Sequence, residues 1–372
     1  MTVPFLDVGA SYRELRRELD DAYARVMSSG RFVLGGEVEA FEAEFAAHGD
    51  ARYAVGVGNG LDALTLALRA ADIGPGDEVV VPAHTFIATW LAVERVGATV
   101  VPVDVDPETL LIDADGTSAA VTPRTAAIIP VHLYGQPADM SALEELAARS
   151  GLFLLGDAAQ AHGARWQGHD VAGLGHAAAF SFYPAKNLGA FGDGGAVTTN
   201  DEALAVRVGR LRHYGASDTY RFAECGVNSR LDSLQAAFLR VKLRALDGWN
   251  DRRAAIADAY REGLAGSPGL LLPAGPGDGF EPVWHLFCVR HADRDGMARH
   301  LANLGVMTQI HYPEPPHRSE AFAHLSLPAD AFPVTNLAAS TLLSLPIGPH
   351  LEDGDVNRVI DAVRSYYVRS TR

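Results

Sequence analysis

Lysine is almost missing from this chain of 372 residues: of 31 basic side chains only Lys186 and Lys242 are lysines, and the other 29 are arginines. Surface cations have gone to arginine, so each remaining lysine needs its own explanation. Arginine cannot replace an amine that must lose a proton and attack a carbonyl, because guanidinium stays protonated at any working pH. Schiff-base formation is the main use of such an amine. Cysteine is equally scarce. Cys225 and Cys288 stand far apart and outside any CxxC spacing, which speaks against a disulfide framework or a thiolate metal site and fits a reducing cytoplasm. No run approaches the roughly 18 apolar residues of a membrane span. Positive charge is short as well: the net charge of −15 argues against nucleic acid or an anionic membrane as partner, since both need a basic face. The opening Met-Thr-Val-Pro-Phe-Leu-Asp has neither a basic n-region nor an apolar core and reads as mature protein.

What is present centres on Lys186. Ala177-Ala-Ala-Phe180 reads as a short buried strand that Pro184 prevents from continuing, which leaves the lysine on a loop at a strand end. Glycines 189, 192, 194 and 195 follow and allow the backbone to bend tightly beside a flat ligand. A surface lysine in a glycine-rich turn is the competing reading. Lys242 lies between Arg240 and Arg244 in a long helical pattern and reads as a solvated helix residue.

The length exceeds one ordinary core, so a large domain over 1–250 and a smaller α+β domain over 251–372 are expected. In the first part, short apolar runs alternate with helical patterns, the signature of a mostly parallel sheet covered by helices. The runs are 53–57, 78–81, 99–103, 126–129, 152–155, 177–181 and 196–198, with helices at about 61–71, 85–96 and 140–149. Tyr12 to Met27 and Glu37 to Ala47 read as packing helices, and 353–368 as a closing one.

In such sheets ligands gather at the strand carboxyl ends, and several polar signals fall there. Gly56-Val-Gly-Asn-Gly60-Leu61-Asp62 joins a strand to a helix; free amides at the helix start suit a phosphate. Its spacing is GxGxG, not the dinucleotide fingerprint, and Asp62 must point away from any anion. Phe86, at the next strand end, could cover a flat ring. Asp157, just beyond a buried strand, needs a cation or donor such as a protonated ring nitrogen, and Gln160 could reach a ring hydroxyl. Asn228 precedes a helical pattern and reads as a cap. His162, His169 and His176 recur every seven residues, but the glycines among them prevent a helix from aligning them as metal ligands.

Taken together, these features resemble the pyridoxal-phosphate enzymes of the aspartate aminotransferase fold (type I, α/β). More narrowly, the chain is similar to the DegT/DnrJ/EryC1/StrS family of nucleotide-sugar aminotransferases over nearly its whole length. The motifs are Gly-Asn-Gly-Leu-Asp-Ala-Leu (58–64), Pro-Ala-His-Thr-Phe-Ile-Ala-Thr (82–89), Asp-Ala-Ala-Gln (157–160), the Lys186 loop, Asn-Ser-Arg-Leu-Asp (228–232) and His-Tyr-Pro (311–313). The resemblance implies that Lys186 carries pyridoxal 5'-phosphate as an imine and shuttles the proton, Asp157 pairs with the ring nitrogen, Gln160 bonds the ring hydroxyl and Phe86 covers the ring. It implies that the phosphate is held by the amides of Gly60 and Leu61, by Ser181, and by Asn228 from the other subunit of a homodimer with composite sites. Dehydratase relatives carry histidine where this chain has Lys186. The loop Asn-Leu-Gly-Ala-Phe-Gly-Asp-Gly-Gly resembles the 3-amination members, which implies transfer from L-glutamate to a 3-keto-6-deoxy nucleotide sugar, dTDP-linked. The alternatives are 4-amination, a UDP-linked 3-keto sugar, or a cofactor-binding regulatory protein. Arg230 and the His311-Tyr312-Pro313 loop are candidates for substrate contacts.

Overall fold

The computed structural model describes residues 2–277 and 279–369. Its centre is a seven-stranded sheet of β1 (Tyr53–Val57), β2 (Glu78–Pro82), β3 (Thr99–Val103), β4 (Thr125–Ile128), β5 (Phe153–Asp157), β6 (Ala177–Ser181) and β7 (Gly195–Thr199). In space the order is β1-β7-β6-β5-β4-β2-β3. Only β7 runs against the others, pairing antiparallel with both β1 and β6. The strands are apolar along their whole length because both faces are covered. Val79 and Val81 join one core with Ala177, Ala179 and Leu155, whereas Val80 and Leu154 point into another on the opposite face.

Helix α1 (Gly36–His48) and α2 (Gly60–Ala70) cover opposite faces of this sheet. On α2, Leu64, Leu66 and Leu68 are buried, each contributing about 1.5–3 kcal/mol by leaving water. The Asn59 side chain accepts the Asp62 amide at its start, as a cap should. Further on come α3 (Ala88–Val96), α4 (Met140–Ser150), α5 (Glu202–Leu211), α6 (Ser233–Leu243) and α7 (Leu246–Leu264). Beyond them a two-stranded antiparallel sheet, β8 (Phe287–Arg290) and β9 (Leu342–Leu345), packs with α7, the helix Arg294–Asn303 and α8 (Asp353–Arg369) around Tyr260, Phe287, Met297, Leu343 and Val359. Val3 is buried in the same core, bridged to Val306.

Some expectations need correction. Tyr12 to Met27 is two helices, Ala10–Glu14 and Arg16–Ser29. A helix at Ala114–Ala120 was not expected, since its sequence has too few large apolar residues for a helical period. Asn228 is not a helix cap: it forms a β-bridge with His213, and α6 begins five residues later with Asp232 before its first turn. Lys242 is not solvated either, with only 3% of its surface exposed. It is two positions from Arg240, hence on nearly the opposite side of the helix. Arg240 reaches outward to Glu37 and Glu44, and Lys242 faces inward.

Candidate active site

The carboxyl ends of β1, β5 and β6 lie along one edge of the sheet, so the polar residues that follow them converge. They line a cavity of about 720 Å³ that includes Gly60, Leu61, Phe86, Asp157, Gln160, Ser181 and Lys186. Seven of the eight expected site residues are thus together. Asn228 is not among them; it lines a separate groove with Asp62, Thr65, Arg69 and Arg95 on the outer side of α2.

Lys186 sits in the connection between the antiparallel pair β6 and β7, whose Ser181 and Gly195 face each other. Its amide donates to the Tyr183 carbonyl at 2.8 Å, and its partly buried side chain opens on the cavity. Removal from water pushes the amine down to about 8, with the Asp157 charge opposing. Asn187, the next residue, is fixed by Asn250, the Val283 carbonyl and His285.

Asp157 is buried. Thr89 donates to its Oδ2 at 2.8 Å and the Ala159 amide to its Oδ1 at 3.2 Å. Burial raises its pKa, against the pull of Thr89, Ala159 and Lys186. Among the described residues it has no ion-pair partner, so a buried carboxylate faces the cavity with room for one more donor.

At the start of α2 the first free amides are those of Gly60 and Leu61, since Asp62 is taken by Asn59 and Ala63 by the Asn59 carbonyl. A Cβ on Gly60 would stand 2.7 Å from Ser181 Cβ, so only glycine lets this helix end approach the β6 terminus so closely. The Asp62 carboxylate is turned away: it accepts from Ser229 at 2.7 Å and from Arg95 at 2.9 Å. An anion at the helix start therefore meets free amides and not the Asp62 carboxylate.

Phe86 is 52% exposed and its ring lies 5.4 Å from that of Tyr312. Gln160 accepts the Tyr134 amide through Oε1 and donates to the Tyr312 hydroxyl at 2.9 Å, leaving its second Nε2 hydrogen for a ligand. The Tyr134 hydroxyl is engaged by His84 and donates to the His311 carbonyl. Together these contacts hold the His311-Tyr312-Pro313 loop against the cavity. Arg230 stays outside, next to His213 and over the Tyr214 ring.

The sequence did not single out Thr89, Tyr134, Tyr183, His285 or the segment Phe5, Leu6 and Val8, all of which reach this region. Thr89 lies within the 82–89 motif and could have been found there. Nothing local marks Phe5 to Val8; they arrive because the Val3 amide and carbonyl pair with Gly305 and Met307. Arg253, 3% exposed, donates to the carbonyls of Trp284, His285 and Ile347 and so ties down the far wall.

The residues present fit pyridoxal phosphate, with an amine of lowered pKa, a buried carboxylate with no ion-pair partner among the described residues, a helix start with free amides and an exposed aromatic ring on the cavity wall. Comparison with known proteins agrees. The chain is 55% identical to dTDP-3-amino-3,4,6-trideoxy-alpha-D-glucose transaminase of Streptomyces venezuelae, covering 99% of this chain and 97% of that one. It is 53% identical to the erythromycin biosynthesis sensory transduction protein EryC1 of Saccharopolyspora erythraea, over 98% of this chain and 100% of that one. The crystal structure of S. venezuelae DesV in complex with a ketimine intermediate superposes with a TM-score of 0.96 at 55% identity, covering 98% of each chain. With residues 13–364 matching the family model, the chain belongs to the DegT/DnrJ/EryC1/StrS aminotransferase family.

Proposed function

We propose that this protein is a pyridoxal-phosphate-dependent aminotransferase that moves the amino group of L-glutamate to C3 of a dTDP-linked 3-keto-6-deoxy sugar. The observation that carries this reading is the convergence of Lys186, Asp157 and the Gly60 helix start on one cavity, in a chain 55% identical to a dTDP-3-amino sugar transaminase. Pyridoxal phosphate, when bound, supplies an electron sink for the amino-group transfer.

The chain's own residues do the rest. Lys186, with its amine near 8, keeps a neutral fraction at working pH and can both hold the cofactor and carry a proton at Nζ. Asp157 offers its buried carboxylate to a protonated ring nitrogen. The Gly60 and Leu61 amides and the Ser181 hydroxyl hold the phosphate, Phe86 covers the ring, and Gln160 donates to the ring hydroxyl. The apolar side chains of Phe5, Leu6, Val8 and Ile347 on the cavity wall suit a sugar short of hydroxyl groups. A large unit over 1–250 holds the cofactor, and a smaller one over 251–372, whose Tyr260 and Phe287 core also takes in Val3, closes the far wall.

Asn228 acts from the partner subunit of a homodimer, because in its own chain it stands outside the Lys186 cavity. If so, inactive Lys186→Ala chains refolded with chains blocked at Asn228 by a bulky residue form mixed dimers with one intact site each. About a quarter of the parent activity is then expected; no activity in dimers shown by mass spectrometry to have exchanged refutes the shared site.

The test of function has two stages. Glutamate alone is expected to bleach the visible band, because the first half-reaction needs no sugar. A band that persists under glutamate and other amino donors, while nucleotide sugars still bind, favours a sensory role such as the S. erythraea relative is named for. Turnover is then measured on 3-keto and 4-keto sugars linked to dTDP and UDP, with the amine position fixed by NMR. A C3 amine from the dTDP substrate is the expected product, and a C4 amine overturns the assignment.

A further inference from the structure

We propose that Lys242 is a positioning residue for Lys186, holding from behind the loop that carries it. This rests on the reading of Lys186 as the reacting amine. The two lysines of the chain thus serve one loop from opposite sides.

Between β6 and β7 the chain folds back on itself. The Ala190 amide donates to the Phe182 carbonyl at 2.7 Å and the Lys186 amide to that of Tyr183. Gly189 is pressed so close to this turn that an added Cβ would lie 2.5 Å from the Pro184 carbonyl oxygen. Its own carbonyl is met by α6, where Lys242 Nζ donates to it at 2.7 Å. The same nitrogen lies 3.6 Å from the centroid of the Phe191 ring, within cation–π range. Gln235, seven residues earlier and so on the same face of the helix, accepts the Phe191 amide at 2.8 Å. Helix α6 therefore grips the loop at two points, and Lys186 stands only three residues before the buried one.

Lys242 has no carboxylate partner among the described residues. Burial lowers its pKa to about 8. Placing an amine there is costly in stability, and methionine or leucine would fill the same space without that cost. Its place near the end of α6 recovers part of it through the helix dipole. What an apolar side chain cannot do is donate to the Gly189 carbonyl. Without that bond the loop can shift, and Lys186 Nζ loses its set position relative to Asp157. A misplacement on the order of 1 Å slows a reaction up to about 100-fold.

The test uses the full-length holoenzyme and begins with bleaching by glutamate in the parent. In Lys242→Met, kcat of the glutamate half-reaction is expected to fall about 10- to 100-fold while KM for glutamate stays within about 2-fold. The pH midpoint of the visible band is expected to move, and the Ala190 and Lys186 amides to exchange hydrogen faster than in the parent. Lys242→Arg, which keeps a donor, is expected to recover most of kcat. Lys242→Gln, whose shorter amide does not span to Gly189, gives the same readings if the methionine variant does not fold. Parental kcat, band midpoint and amide exchange in either folded variant overturn the proposal. A parent that glutamate does not bleach fails the functional reading itself, and the Lys242 role falls with it.

Discussion

Lys186→Ala is expected to abolish both half-reactions, lowering turnover by at least about 10³-fold, in the upper range of what one acid–base group supplies. No other amine can take over. The only other lysine is buried with its amine on the Gly189 carbonyl, and the histidines lining the cavity, His285 and His311, cannot form an imine and are made weak bases by burial. The variant keeps the rest of the cradle, namely the Gly60 helix start, Ser181 and Asp157, so the cofactor is expected to bind without a covalent link. Stopped-flow absorbance with glutamate checks the loss. A Lys186→Ala protein that still bleaches within a few-fold of the parent rate removes the lysine from the chemistry.

Asp157→Asn is expected to lower kcat on the order of 10² fold or more, the size of loss seen when a preorganised electrostatic partner is removed. Asparagine has nearly the same shape. Its Oδ1 can still accept from Thr89 or from the Ala159 amide, so folding and cofactor content should change little. With Asp157 read as the partner of the ring nitrogen, what disappears is the negative charge that would favour a proton there. The loss should therefore appear in kcat with the cofactor still bound, and rate measurements beside cofactor occupancy decide it. Activity within a few-fold of the parent would limit Asp157 to a structural task.

Much of this arrangement can be read from the residues. The seven apolar runs match β1 to β7 to within one or two residues at each end, because strands covered on both faces need continuous apolar sequence. The strand-end signals at Gly60, Phe86, Asp157 and Lys186 lead to one cavity because parallel strands put their carboxyl ends on one edge. The insertion of β7 between β1 and β6 leaves no local trace. The same holds for Phe5 to Val8, which depend on the pairing of Val3 with residues some three hundred positions away. Lys242 misled for a physical reason. Its neighbours Arg240 and Arg244 suggest a solvated face, yet a loop from fifty-three positions earlier covers it, and only the three-dimensional structure reveals that cover. Asn228 was legible as polar and close to a helix, but not that its groove lies on the far side of α2.

The central claim, that the chemistry runs through an amine at Lys186, is tested most directly by borohydride reduction of the holoenzyme followed by peptide mapping. With two lysines in the chain, the map has few places for the label. The label is expected on the peptide containing Lys186, with Lys242 unmodified; a label on Lys242, or none on either lysine in protein that carries the cofactor, rules Lys186 out as the reacting amine.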